Sequence, residues 1–271
     1  MIPTRRFSAG ATGWTSKGRG RYSKVMMRSV EACLISLVLF LSTPVSARLT
    51  DHPAFQSHSP QSQQDTTAKV ITILGFGDSI TQGGADFVSY LFPLQKKLGK
   101  AGYSVQFIGP KASTTPTDTV YNAGYGGKNA EFLAASADSL YSRFPADIVL
   151  LHTGHNHFDT ENPVAGIITA QKSIIAQLTA INPRVVILVA QVISSGKLPK
   201  YSYIPALNEQ IGVMVKEVNS RHVMLVNQEK GWDWQTDAIA DKVHPNAQGA
   251  EKIAQTWFDA LKRVLPRPKK G

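Results

Sequence analysis

Three short segments hold side chains whose types and spacing could do chemistry. Gly75-Phe76-Gly77-Asp78-Ser79-Ile80-Thr81-Gln82-Gly83-Gly84 sets a serine among glycines, where backbone can approach a ligand closely. Serine is inert at its free pKa and becomes a nucleophile only beside a base. His152-Thr153-Gly154-His155-Asn156-His157 offers an asparagine amide and a glycine N–H, both suited to holding a developing oxyanion. Asp241-Lys242-Val243-His244-Pro245 offers a histidine base with a carboxylate three residues earlier, able to fix its tautomer and stabilise its imidazolium. Each segment also has a plainer reading. Asp78 or Ser79 suits an N-cap, the Gly-Asn run a turn, and Asp241 a cap before a proline-started helix. His152, His155 and His157 with Asp159 also suit a metal-ligand set, but a metal there leaves Ser79 and His244 without a role. Taken together, the three segments favour acyl chemistry with no metal and no cofactor.

Such segments need elements that bring them to one place. From Lys69 onward, short apolar runs alternate with helical periodicity. Strands are expected at Val70–Phe76, Ser104–Ile108, Ala146–Leu151, Arg184–Val192 and His222–Val226. Helices are expected at Phe87–Ala101, Val164–Ile181, Ile204–Val218 and Asn246–Val264. Strand–helix alternation predicts a parallel sheet between helical layers. In such sheets function collects in loops past the carboxyl ends of strands. The three segments follow the first, third and fifth expected strands. A helix start at Ser79 would also favour developing negative charge.

The chain has 271 residues, with 29 Lys+Arg against 19 Asp+Glu, a formal charge of +10. Its 42% hydrophobic content excludes a disordered or fibrous chain. The charge is concentrated at the start. Arg5, Arg6, Lys17, Arg19, Arg21, Lys24 and Arg28 precede the apolar run Ala32–Leu41, and Val45-Ser46-Ala47 follows. This pattern predicts a secretory signal peptide over residues 1–47, cut after Ala47, with an uncleaved anchor as the alternative. Translation from Met26 or Met27 would shorten its basic region. Without it, 22 basic and 18 acidic residues remain, a net of +4. No basic stripe interleaved with aromatics is visible, so nucleic acid is not an expected partner. Cys33, the one cysteine, lies within the leader, leaving neither a disulfide nor a thiolate site. Residues 48–68 read as a flexible linker, 69–265 as the folded domain and 266–271 as a basic tail.

Gly77-Asp78-Ser79, Asn122-Ala123-Gly124-Tyr125-Gly126-Gly127, Gly154-His155-Asn156 and Asp241-x-x-His244 resemble, in order, the four blocks of the GDSL, or SGNH, hydrolase family. The resemblance spans residues 70–264. It implies a three-layer α/β/α sandwich, flavodoxin-like, with a five-stranded parallel sheet, and metal-free ester hydrolysis. By position it implies Ser79 as nucleophile, His244 as base and Asp241 as its orienting partner. It implies oxyanion donors at the Ser79 N–H, the Gly127 N–H and the Asn156 side chain, with Gly124 and Gly126 competing for the Gly127 place. The family often has Asp where this chain has His157. Export together with the resemblance favours an O-acetyl ester of carbohydrate, outside the cell or in the periplasm. Trp232 and Trp234 are candidates to stack on a sugar, and Tyr125, His155 and His157 to line the cleft; ordinary packing or polar satisfaction is the alternative. Other expectations are another small ester as substrate, a lipolytic or thioester-cleaving hydrolase, and a non-catalytic glycan-binding domain. After leader removal no membrane partner is expected.

Overall fold

The computed structural model describes residues 69–268. The expected leader, the linker 48–68 and residues 269–271 of the tail lie outside the described residues. Strand β1 (Ile71–Gly77) is buried from Ile73 onward. Strand β5 (Ile148–His152) is buried at all five positions. Continuous burial of this kind marks parallel strands covered on both faces. With β2 (Val105–Ile108), β6 (Val186–Gln191) and β7 (Val223–Asn227) they form a parallel sheet in the order β2-β1-β5-β6-β7. That order is the flavodoxin-like one. The five expected strands match these five within two residues at each end.

Helices cover both faces. Helices α2 (Leu91–Lys100) and α7 (Ala247–Leu261) bury Leu94, Leu98, Ile253 and Trp257 against one face. Helices α3 (Ala130–Arg143), α4 (Val164–Ile181) and α5 (Ile204–Val218) bury Leu133, Ile174 and Ile211 against the other. Asn129 and Asn246 cap α3 and α7 by accepting the Phe132 and Gly249 N–H at 3.0 Å.

Three features depart from the sequence expectation. The sheet is mixed, because β3 (Lys111–Thr114) runs antiparallel to β4 (Thr119–Gly124), which pairs with the end of β1. Helix α3 was not expected. Its buried stripe includes Ala130 and Ala137 beside Leu133, Leu140 and Tyr141, so its apolar periodicity is faint. Helix α2 starts at Leu91 rather than Phe87, since Ser89 Oγ accepts the Leu91 N–H at 3.2 Å and ends the turn before it.

Candidate active site

Ser79 begins α1 (Ser79–Gln82), directly past the end of β1. Asp78 precedes it as N-cap, its Oδ1 accepting the Ile80 N–H at 3.0 Å. Asp78 is therefore a cap, and the neighbouring Ser79 is left free for a different contact. Helix α1 is a single turn, so the dipole effect expected at Ser79 is smaller than a full helix would supply. Gly77 is required by packing: a Cβ there would meet the His152 carbonyl oxygen at 2.3 Å.

The loop between α6 (Trp234–Asp237) and α7 brings Asp241 and His244 to Ser79. His244 Nε2 lies 2.8 Å from Ser79 Oγ, and His244 Nδ1 lies 2.5 Å from Asp241 Oδ2. Lys242, between them, has φ +61°, the left-handed conformation that folds the loop back. Asp241 Oδ1 accepts the N–H groups of Val243 and His244 at 2.9 and 3.0 Å. Burial works to raise the Asp241 carboxyl, but those N–H groups and the His244 ring outweigh it and hold the carboxyl below the usual range. With Nδ1–H donated to this carboxylate, the Nε2 lone pair faces the Ser79 hydroxyl. Phe87 stacks on the His244 ring, with centroids 4.1 Å apart and planes 19° apart. A Cβ on Gly84 would meet the Phe87 ring at 2.5 Å, so Gly84 makes room for it.

The glycine-rich segment after β4 separates the competing donors. The Gly124 N–H is donated to Asn122 Oδ1 at 2.9 Å and the Gly126 N–H to Gln82 Oε1 at 2.8 Å. Gly127 has φ +72° and open space where a Cβ would be. Among the described residues its N–H has no hydrogen-bond partner. Tyr125 is half-buried, edge-on to Phe132 at 5.6 Å, with Lys111 Nζ 4.4 Å over its ring.

The segment after β5 is tied down residue by residue. Gln171 Nε2 donates to the Thr153 carbonyl and Tyr203 Oη to the Gly154 carbonyl, each at 2.8 Å. Gly154 is dictated by packing rather than by ligand approach, since a Cβ would meet Leu207 Cδ2 at 2.8 Å. Asn156 has φ +70° and donates one amide hydrogen to the Lys128 carbonyl at 2.9 Å, leaving the other free. The three histidines do not converge on one point. His152 is fully buried, and burial pushes its imidazole down to about 4, so it is neutral at pH 7. His155 is buried, with Nε2 3.1 Å from the Ile193 carbonyl and Nδ1 3.6 Å from Asp78 Oδ2. Burial would raise the Asp78 carboxyl; His155, His152 and the Ile80 N–H together hold it low. His157 sits between Glu131 and Glu161, at 2.9 Å from each.

Three of the five substrate-contact candidates, His155, His157 and Trp232, are therefore buried and bonded to other parts of the protein. His155 and His157 are buried, His155 bonding the Ile193 carbonyl through Nε2 and His157 a glutamate through each ring nitrogen. Trp232 is 8% exposed, packs in the core and donates Nε1–H to the Ser194 carbonyl at 2.9 Å. Trp234 covers Gly196 with one ring face, where a Cβ would lie 2.2 Å away, and has Lys242 Nζ 5.6 Å from its ring centroid. Half-buried Tyr125 keeps part of its ring at the surface. Sequence reading did not single out Phe87, Gln82, Glu131 or Glu161. Only Glu161 carried a local signal, four residues after His157, a helix-like spacing that pairs side chains.

A model of the GDSL-like lipase/acylhydrolase family matches residues 76–252. The chain belongs to this family. It is 25% identical to a multidomain esterase of Ruminococcus flavefaciens, over 74% of this chain and 29% of that protein. The chain thus spans less than a third of that relative's length. A family 3 carbohydrate esterase of Clostridium thermocellum is 26% identical with a TM-score of 0.63, covering 73% of this chain and 100% of that one. A family 3 carbohydrate esterase of Talaromyces cellulolyticus shares the fold at a TM-score of 0.64 and 22% identity, over 72% of this chain and 98% of that one.

Proposed function

We propose that Ser79, His244 and Asp241 carry out ester hydrolysis through an acyl-enzyme, and that the substrate is an O-acetyl ester on carbohydrate. The observation that carries the chemistry is the unbroken line of contacts from Asp241 Oδ2 through His244 Nδ1 and Nε2 to Ser79 Oγ. His244 Nε2 takes the Ser79 proton as Oγ bonds to the ester carbonyl carbon. The carbonyl π electrons move to oxygen, and the N–H groups of Ser79 and Gly127 and the free amide hydrogen of Asn156 stabilise that oxyanion. The tetrahedral adduct collapses, the C–O bond to the alcohol breaks, and the alcohol leaves with the proton from His244. Water then gives a proton to His244 and attacks the acyl-serine, releasing the acid and restoring Ser79.

The name of the Clostridium thermocellum structure, a carbohydrate esterase, favours a polar carbohydrate alcohol. We propose export as well, on the basic and apolar leader ending at Val45-Ser46-Ala47.

Acetate release from acetylated xylan or pectin, set beside p-nitrophenyl esters of rising chain length, tests the reading. Turnover of the acetylated polymers and of the acetyl ester is expected, with loss of at least about 10⁴-fold in Ser79→Ala. Preference for long chains would favour a lipolytic enzyme, and no turnover at all a binding domain. A mature N-terminus at Arg48 in the exported protein is the expected result for the leader.

A further inference from the structure

We infer that His155 and His157 are positioning residues that clamp Asn156 from both sides, each through a carboxylate on another element. This rests on the reading of Asn156 as an oxyanion donor. Asn156 holds φ +70°, a left-handed conformation that Asn tolerates better than most residues but that its surroundings must still hold in place.

The residue before it is anchored to the nucleophile's own turn. His155 is 1% exposed, and its Nε2–H donates to the Ile193 carbonyl at 3.1 Å. That bond fixes the ring so that Nδ1 faces Asp78 Oδ2 at 3.6 Å, longer than a hydrogen bond. Neither of those two buried atoms has any other partner. Tyr201 closes the ring's edge at 5.4 Å. Asp78 immediately precedes Ser79, and His155 immediately precedes Asn156. The contact therefore sets the spacing between the attacking oxygen and the amide that receives the oxyanion.

The residue after it is anchored to the helical layer. His157 is 9% exposed and offers one ring nitrogen to each of two glutamates. Nε2 meets Glu131 of α3, and Nδ1 meets Glu161 of the turn Asp159–Glu161. The other Glu131 oxygen lies over Gly166 of α4, 2.9 Å from where a Cβ would be. Glu131 lies in the first turn of α3, just past the loop whose Lys128 carbonyl accepts the Asn156 amide. One connected set of contacts thus holds the Asn156 backbone and its side chain.

The experiment is a kinetic cycle on p-nitrophenyl acetate with His155→Gln, His157→Gln and Asn156→Ala, singly and combined. Asn156→Ala should lower kcat about 100- to 1,000-fold, as loss of an oxyanion donor does. Each histidine variant should lower kcat about 10- to 100-fold with KM within about twofold, as a misplaced catalytic group does. In the Asn156→Ala background the same histidine variants should cost less than about twofold, because the group they position is gone. Should burial of His155 prevent its variant from folding, Glu131→Gln/Glu161→Gln tests the clamp through exposed side chains, and kcat should again fall at unchanged KM. A rise in KM with kcat kept would return the histidines to direct substrate contact and overturn the clamp. So would a full kcat loss persisting in the Asn156→Ala background. Wild-type kcat in Asn156→Ala itself would instead overturn the donor reading on which the clamp stands.

Discussion

On one side of Ser79, Asp241 and His244 sit on a loop whose bonds stay mostly within residues 237–246. Asp241 accepts two N–H groups from within three residues, and the Ile239 N–H and His244 carbonyl bond at 2.8 Å. It attaches to other loops through the Lys242 carbonyl, which accepts Ser195 Oγ–H and the Gly196 N–H, and through the Phe87 ring stacked on His244. On the other side, residues 153–157 are largely buried, and their bonds reach α4, α5, α3, β4's following loop and the loop after β6. The side that moves protons is thus built locally and half in solvent. The side placed to receive charge is built from distant parts, with Thr153, Gly154, His155 and His157 buried around a half-buried Asn156. A base must turn and exchange a proton with leaving alcohol and water, whereas donors for an oxyanion gain most from being fixed in place before charge develops.

The contrast can be broken from either side. The largest expected effect is on the local side: Asp241→Asn should lower kcat about 10⁴-fold by losing the tautomer that points Nε2 at Ser79. Because Asp241 is exposed and its amide analogue still accepts the two N–H groups, stability should change by less than about 1 kcal/mol. Thermal melting beside esterase kinetics checks both halves. A large stability loss would show that the loop depends on the carboxylate for more than the base.

The next effect lies on the buried side and is read in stability. His152 holds its pKa near 4 in the fold, against about 6.5 when unfolded. Between those values the unfolded chain binds a proton that the folded one refuses. Stability therefore rises with pH across this window, by up to about 3 kcal/mol, and the term is constant above it. Asp78 and Asp241, whose carboxyls are held low, stabilise the fold above their unfolded pKa near 3.9 and lose that contribution at more acid pH. Urea unfolding of His152→Gln at pH 4.5 and pH 7 should show a much smaller difference than wild type. An unchanged difference would mean that this burial does not set acid sensitivity.

The smallest effect returns to the base. Phe87→Leu removes a stacked ring worth about 0.5–1.5 kcal/mol and should lower kcat about three- to tenfold, with Phe87→Tyr near wild type. Equal loss in both variants would assign the effect to loop packing rather than to the stacked face.

Much of the fold is legible in the sequence, and for one reason. Buried parallel strands are continuous apolar runs and amphipathic helices repeat every 3.6 residues, so β1, β5, β6, α4 and α5 announce themselves within their own residues. Helix α3 did not, because alanines fill much of its buried stripe, and β3–β4 did not, because their strand signal is short and polar. The candidate site divides the same way. Within Asp241-x-x-His244 and within Gly77-Asp78-Ser79 the residues lie a few positions apart, so residue types and spacing alone pointed to each. Only the tertiary structure decided which glycine keeps a free N–H, since Gln82 occupies that of Gly126 from 44 residues away. Only it turned His155 and His157 inward, because Asp78, Glu131 and the Ile193 carbonyl reach them through the packing of separate elements. A sequence specifies its periodicities locally, while the partner of a buried polar group is chosen by whichever element the fold brings alongside.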